Sequence, residues 1–219
     1  MVTRVEDHLQ GEHLEQYILS HIDPEPQYLR ELRREAHVRL VHPRMISGHL
    51  QGRLLTILVS LVRPRHILEI GTYTAYATLC MAEALEDDGL ITTIEINDEM
   101  GPFIERALSA SGYREQVELV MGDALELIPA MDLSRCDLVY IDADKRHYIE
   151  YFELIRERLP HGTLILADNT LWSGKVIDEH ANDPQTRGIK LFNDYIAKLD
   201  GWQKVILPIR DGLTLIRKL

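Results

Sequence analysis

Two short clusters of oxygen-bearing side chains lie in the second half of the chain. Asp142-Ala143-Asp144-Lys145 follows one apolar run, and Asp168-Asn169-Thr170-Leu171-Trp172-Ser173-Gly174 follows another. If the two runs are neighbouring strands, Asp142, Asp168 and Asn169 offer two carboxylates and an amide oxygen. Such hard donors suit Mg2+, with Mn2+ or Ca2+ as related choices, and the lack of Cys or His in the set argues against zinc. Singly, Asp142 reads as a helix N-cap and Lys145 as a solvated charge. Capping alone, however, requires no acid-amide pair at the next strand tip. Asp144 is read either as a cap or as a contact to substrate.

The elements that must position these clusters follow from periodicity. Short apolar runs at 66–70, 90–96, 116–121, 136–142 and 162–168 read as strands, with helices between them at 73–86, 98–111, 123–131 and 145–158. Glu69, Glu95, Asp142 and Asp168 then stand at or beside carboxyl ends of nearly continuous apolar strands, where open parallel sheets bind ligands. After a helix at 186–199, runs 203–209 and 213–217 flank Arg210-Asp211-Gly212, a hairpin signal. One strand of that pair must be antiparallel, giving a seven-stranded mixed sheet in an α/β fold. Upstream, Leu9, Leu14, Tyr17 and Ile18 recur at helical spacing. Asp23-Pro24 starts a second helix through about Val41, and a third runs from Ile46 to Val62. The chain reads as one domain over 1–219, with 1–62 a helical extension and 63–219 the core.

The first strand-to-helix junction, Glu69-Ile70-Gly71-Thr72-Tyr73-Thr74-Ala75-Tyr76-Ala77, has one glycine where a dinucleotide fingerprint needs three, so a nicotinamide cofactor is poorly supported. Glu95 ends the second strand, where an acid can accept hydrogen bonds from both hydroxyls of an adenosyl ribose. The surviving ligand is adenosyl without phosphates.

The pattern E-I-G-T-Y-T-A-Y-A followed by T-I-E-I-N resembles class I S-adenosylmethionine-dependent methyltransferases, with their Rossmann-like fold, and among them the metal-dependent O-methyltransferases of catechol and caffeoyl-CoA type. The resemblance implies that Gly71 and Thr72 pass the methionine part, Glu69 lies beneath its ammonium, Glu95 holds the ribose, and Asp123-Ala124 lie beside the adenine. Met45 and Ser47 match a segment that closes over the cofactor. Asp142, Asp168 and Asn169 match the metal ligands, and Lys145 matches the base. Two positions depart from the family pattern. Ala75 replaces a glycine, and Ala77 replaces a serine that contacts the cofactor carboxylate, a role backbone N–H groups at the helix start can take. Trp172, Tyr148 and Tyr151 are candidate walls for an aromatic acceptor, and the polar stretch 175–187 is a candidate lid.

Composition narrows the remaining choices. Cys80 and Cys136 fall in apolar stretches and read as buried thiols, so no disulfide framework is expected. No uninterrupted apolar run reaches membrane length and no secretory signal is recognisable, which predicts a cytoplasmic protein without a membrane partner. The net charge of −11 hides an asymmetry: residues 27–66 carry eight arginines against Glu31 and Glu35, a net of +6, leaving −17 elsewhere. Those arginines read as a solvated helix face or as a surface for an anionic acceptor. The resemblance therefore implies methyl transfer to a hydroxylated aromatic small molecule by a homodimer. Transfer to a wobble 5-hydroxyuridine of tRNA is the alternative acceptor, and a non-catalytic nucleotide-binding module is the alternative class.

Overall fold

The computed structural model describes residues 13–219; Leu9, the first position assigned to the N-terminal helix, lies outside the described residues. Strands β1 (His66–Ile70), β2 (Leu90–Glu95), β3 (Val117–Met121), β4 (Leu138–Ile141) and β5 (Leu164–Asp168) are parallel. With β6 (Trp202–Leu207) and β7 (Leu213–Lys218) they form one sheet of order β3-β2-β1-β4-β5-β7-β6. β7 is the reversed strand, antiparallel to both β5 and β6. The mixed seven-stranded sheet expected from the sequence is therefore present.

Strands covered on both faces need apolar residues at every position, and β4 is the clearest case, buried along its whole length. Leu138 and Tyr140 face one apolar layer and Val139 and Ile141 the other. The first layer is closed by α2 (Gln27–Arg39), α3 (His49–Val62), α4 (Tyr76–Ala82) and α5 (Gly101–Ser111), through residues such as Leu32, Leu55, Leu79 and Ile104. The second is closed by α6 (Ala124–Leu127), α7 (Tyr148–Arg156) and α8 (Pro184–Ala197), through Ile128, just beyond α6, with Phe152 and Phe192. Helical residues 13–20 form α1, whose Leu14 and Tyr17 are exposed and so add nothing to the core.

Several elements depart from the periodicity. α2 begins at Gln27 with Pro26 in the N-cap position and no side-chain cap, so Asp23-Pro24 does not start it. The helix expected at 46–62 is present as α3 but starts three residues late, at His49, because Gly48 (φ 77°) breaks it from a preceding turn of 3-10 helix, Pro43–Met45. Pro43–Val62 has the length and apolar composition of a membrane span, yet it is not one continuous helix, and Leu55 and Val59 are fully buried in the core. The helix expected from residue 73 starts only at Tyr76, since Tyr73 and Ala75 take left-handed φ values of 49° and 64°.

Candidate active site

Strand order turns back between β1 and β4, the crevice where open α/β sheets take ligands. A cleft of about 810 Å³ opens there over the carboxyl ends of the strands. Gly71 (φ 99°) sets its first edge, because a Cβ there would overlap the Asp142 carbonyl. The tips of β1 and β4 thus approach more closely than any side chain permits.

At the β1–β2 end, Glu95 bridges two loops: Oε2 accepts from the Tyr73 N–H at 2.7 Å and Oε1 from the Asn97 N–H at 2.9 Å. Each oxygen keeps a lone pair for a ligand. The Tyr73 hydroxyl donates to the His42 carbonyl, tying this loop to the segment that carries Met45 and Ser47. Met45, Ser47, Gly71, Glu95, Ile96, Asp123 and Ala124 all line the cleft. Asp123 also caps α6 by accepting from the Leu125 N–H at 2.9 Å.

Glu69, Thr72 and Ala77 do not line the cleft and are buried behind it. Glu69 Oε2 accepts from Thr78 and Thr93 hydroxyls at 2.5 and 2.6 Å, while its fully buried Oε1 has no partner. Burial drives the Glu69 carboxyl up to about 8, with the charges of Asp142 and Glu95 adding to the effect. An orphaned carboxylate oxygen under the β1 tip fits a cationic group placed above it.

At the β4–β5 end, Lys145 is nearly buried. Its Nζ donates to Asp142 Oδ1 at 2.8 Å and to the Tyr148 hydroxyl at 2.6 Å, 4.8 Å from the centre of that ring. α8 abuts this loop through Gly188, where a Cβ would overlap the Lys145 carbonyl. Asp168 Oδ1 accepts from the Asn169 N–H at 2.8 Å, and Asn169 itself holds φ 59°, a conformation asparagine tolerates better than most residues. Burial first, and the neighbouring Asp142 charge second, raise the Asp168 carboxyl. Asp142, Lys145, Asp168 and Asn169 all face the cleft. Among the described residues no cluster of three or more His, Cys, Asp or Glu forms a metal site. Two mutually repelling carboxylates beside an amide oxygen nevertheless fit a divalent cation.

Asp144 caps the turn before α7 and pairs with Arg146, which holds its carboxyl down at about 2, so capping describes it although it touches the cleft. Trp172 and Tyr151 line the cleft, and Trp172 Nε1 is buried without a partner. Tyr148 is a core residue and no wall. Gln51, Tyr73, Arg44 and Arg210 also line the cleft. Of these, only Gln51 had a sequence signal, an amide on the inward face of an apolar helix.

This cleft and strand order define a class I S-adenosylmethionine-dependent methyltransferase. A family model described as O-methyltransferase matches residues 19–219, and the chain belongs to that family. It is 35% identical to a catechol O-methyltransferase of Niastella koreensis over 65% of this chain and 66% of the relative. It is 34% identical to a caffeoyl-CoA O-methyltransferase 2 of Eucalyptus globulus over 96% and 90% of the two chains. Among solved structures, the O-methyltransferase TomG of Streptomyces achromogenes, involved in tomaymycin synthesis and crystallised with S-adenosylmethionine, superposes with a TM-score of 0.87. That match has 28% identity and covers 94% of this chain and 96% of TomG. An enzyme, not a non-catalytic nucleotide-binding module, is the class.

Proposed function

We propose that the protein transfers the methyl group of S-adenosylmethionine to one hydroxyl of a catechol-like aromatic, with a divalent cation at Asp142, Asp168 and Asn169. The observation that carries this reading is one cleft holding Glu95, Gly71 and Asp123-Ala124 at one end and Asp142, Lys145, Asp168 and Asn169 at the other. Catechol and caffeoyl-CoA acceptors in the names of the relatives support the acceptor class. Glu95 would receive the ribose hydroxyls, Asp123-Ala124 and Ile96 would flank the adenine, and Glu69 Oε1 would answer the methionine ammonium beneath Gly71 and Thr72. N–H groups at the start of α4, near Ala77, would take the carboxylate.

A phenol with a pKa of about 10 is a poor nucleophile at neutral pH. The cation, when bound, supplies Lewis acidity that favours the ionised acceptor oxygen. Lys145 Nζ, held by Asp142 and Tyr148, would take the hydroxyl proton from its neutral amine form and become the ammonium. The O–C bond then forms as the S–C bond breaks, leaving a methyl ether and S-adenosylhomocysteine. Trp172 and Tyr151 would hold the ring so that oxygen, carbon and sulfur align.

The arginine stretch gives little support to the tRNA acceptor. Arg33 pairs with Glu25, Arg39 with Glu35, Arg53 with Glu83 and Arg63 with Glu86, and of the eight only Arg44 lines the cleft. The apolar layer shared by α2, α3 and the sheet supports a single domain. Exposed Ile57 and Leu61 of α3 are the face a homodimer would bury.

The test incubates radiolabelled cofactor with caffeic-type phenols and with bulk tRNA, with and without EDTA. Label in the phenol that EDTA or Asp168→Ala abolishes is the expected result. A loss of several kcal/mol of charge stabilisation corresponds to about 10³-fold or more in rate. Label confined to RNA rejects the acceptor, and transfer to the phenol undiminished by EDTA rejects the cation.

A further inference from the structure

Gln51 is a fully buried amide on α3, where its buried neighbours Leu55 and Val59 are apolar. A primary amide in such a place costs stability unless both its polar ends are used. Its Nε2 donates to Asp168 Oδ2 at 2.5 Å and to the Tyr140 hydroxyl at 3.0 Å. Tyr140, itself fully buried in the middle of the sheet, spends its one hydroxyl proton on the same Asp168 Oδ2 at 2.9 Å. One amide N–H and the hydroxyl proton thus meet on one carboxylate oxygen, and the other amide N–H closes the triangle at the Tyr140 oxygen. Asp168 is an acceptor when ionised, so the amide nitrogen must face it and the amide orientation is fixed by chemistry.

The two oxygens of Asp168 are consequently unequal. Oδ2 has two side-chain donors from two different elements, α3 and β4, whereas Oδ1 has only the adjacent Asn169 N–H. We propose that Gln51, with Tyr140, is a positioning residue that holds Asp168 Oδ2 and thereby leaves Oδ1 as the oxygen offered to a cation. The inference rests on the cation reading given above. A ligating carboxylate held by outer hydrogen bonds binds metal more tightly, and loss of such a partner typically weakens affinity by about 10–100-fold. Because Gln51 belongs to α3, which follows directly on the turn bearing Met45 and Ser47, it also joins the cofactor-covering part of the chain to the β5 tip.

Calorimetric titration of Mg2+ into the wild type, Gln51→Leu, Tyr140→Phe and Asp168→Ala proteins, each saturated with S-adenosylhomocysteine, tests this directly. Gln51→Leu and Tyr140→Phe are expected to weaken Mg2+ by about 10–100-fold while the affinity for S-adenosylhomocysteine alone is unchanged. Raising Mg2+ is expected to restore kcat in both, which a merely packed residue would not produce. Tyr140→Phe keeps the ring and serves where Gln51→Leu does not fold. Unchanged Mg2+ affinity in Tyr140→Phe and in any folded Gln51→Leu protein, together with loss in Asp168→Ala, overturns the positioning role alone. No Mg2+ binding by the wild type, or equal binding by Asp168→Ala, overturns the cation site itself.

Discussion

The two ends of the cleft solve the problem of buried acids differently. At the β1–β2 end, Glu95 is held by backbone N–H groups and Glu69 by two threonines, so no side-chain cation is involved. At the β4–β5 end, Asp142 holds a lysine and Asp168 is held by an amide and a phenol. The first arrangement presents oxygen acceptors to an organic ligand and holds no base for the acceptor hydroxyl. The second places a proton carrier beside two carboxylates. Binding and chemistry are thereby separated by about the width of two strands, which predicts that substitutions at the two ends fail in different kinetic constants.

The sharpest break of this contrast is Lys145→Met, which keeps the chain length and removes the proton acceptor. It is expected to lower kcat by about 10²–10⁴-fold with the S-adenosylmethionine affinity intact. A variant with normal kcat would move the base elsewhere. Next in size is a pH effect from the other end. Glu69 ionises near its ordinary value of 4.5 when unfolded but near 8 when folded. The folded state therefore binds the extra proton between those values, and stability falls as pH rises from about 4.5 to 8. Thermal melts of the cofactor-free protein are expected to show that slope, amounting to a few kcal/mol at most, and Glu69→Gln is expected to flatten it. An identical slope in the variant would show that the Thr78 and Thr93 hydrogen bonds already stabilise the ionised form.

Glu95→Ala follows. Losing hydrogen bonds to a charged group costs about 1.5–3 kcal/mol, or roughly 10–100-fold in cofactor affinity, with kcat at saturating cofactor retained. Equal losses in affinity and kcat would erase the separation between the two ends. The smallest effect is expected for Ala75→Gly. Ala75 occupies a left-handed conformation at the N-cap of α4, which costs an L residue about 1 kcal/mol. The glycine variant should melt about 2–4 °C higher without changing cofactor affinity.

That last position shows what was readable and what was not. Comparison of the motif with its family marks Ala75 as a departure, and the structure supplies the reason, a positive φ that favours glycine. The strands were legible because β1, β4 and β5 are buried on both faces and so read as apolar runs. The four acids followed, since each sits at or beside the last residue of such a run. The short start of α4 was not legible, because left-handed Tyr73 and Ala75 leave no mark in hydrophobic periodicity. Tyr140 was hidden for the opposite reason: in Leu138-Val139-Tyr140-Ile141 it fits the apolar pattern, and its hydroxyl gains meaning only beside Asp168. Charge counting was the least specific guide, because it does not separate Arg33, Arg53 and Arg63, which pair with Glu25, Glu83 and Glu86, from Arg30 and Arg34, which share a groove on α2 with Arg33.

The reversed strand has a consequence for biogenesis. β7 lies between β5 and β6 although both precede it in the chain, and it sets Leu213 opposite Asp168. The Gly212 and Asp211 carbonyls accept from the Thr170 and Leu171 N–H groups just past the β5 tip. A nascent chain that has made every acid and the lysine of the cleft still lacks the partner strand of β5. The Asp168 tip is then a bare sheet edge, open to pairing with another chain. Synthesis of β7, not of the motif, is when this enzyme gains its site, and products cut short before residue 213 are expected to aggregate before they can turn over substrate.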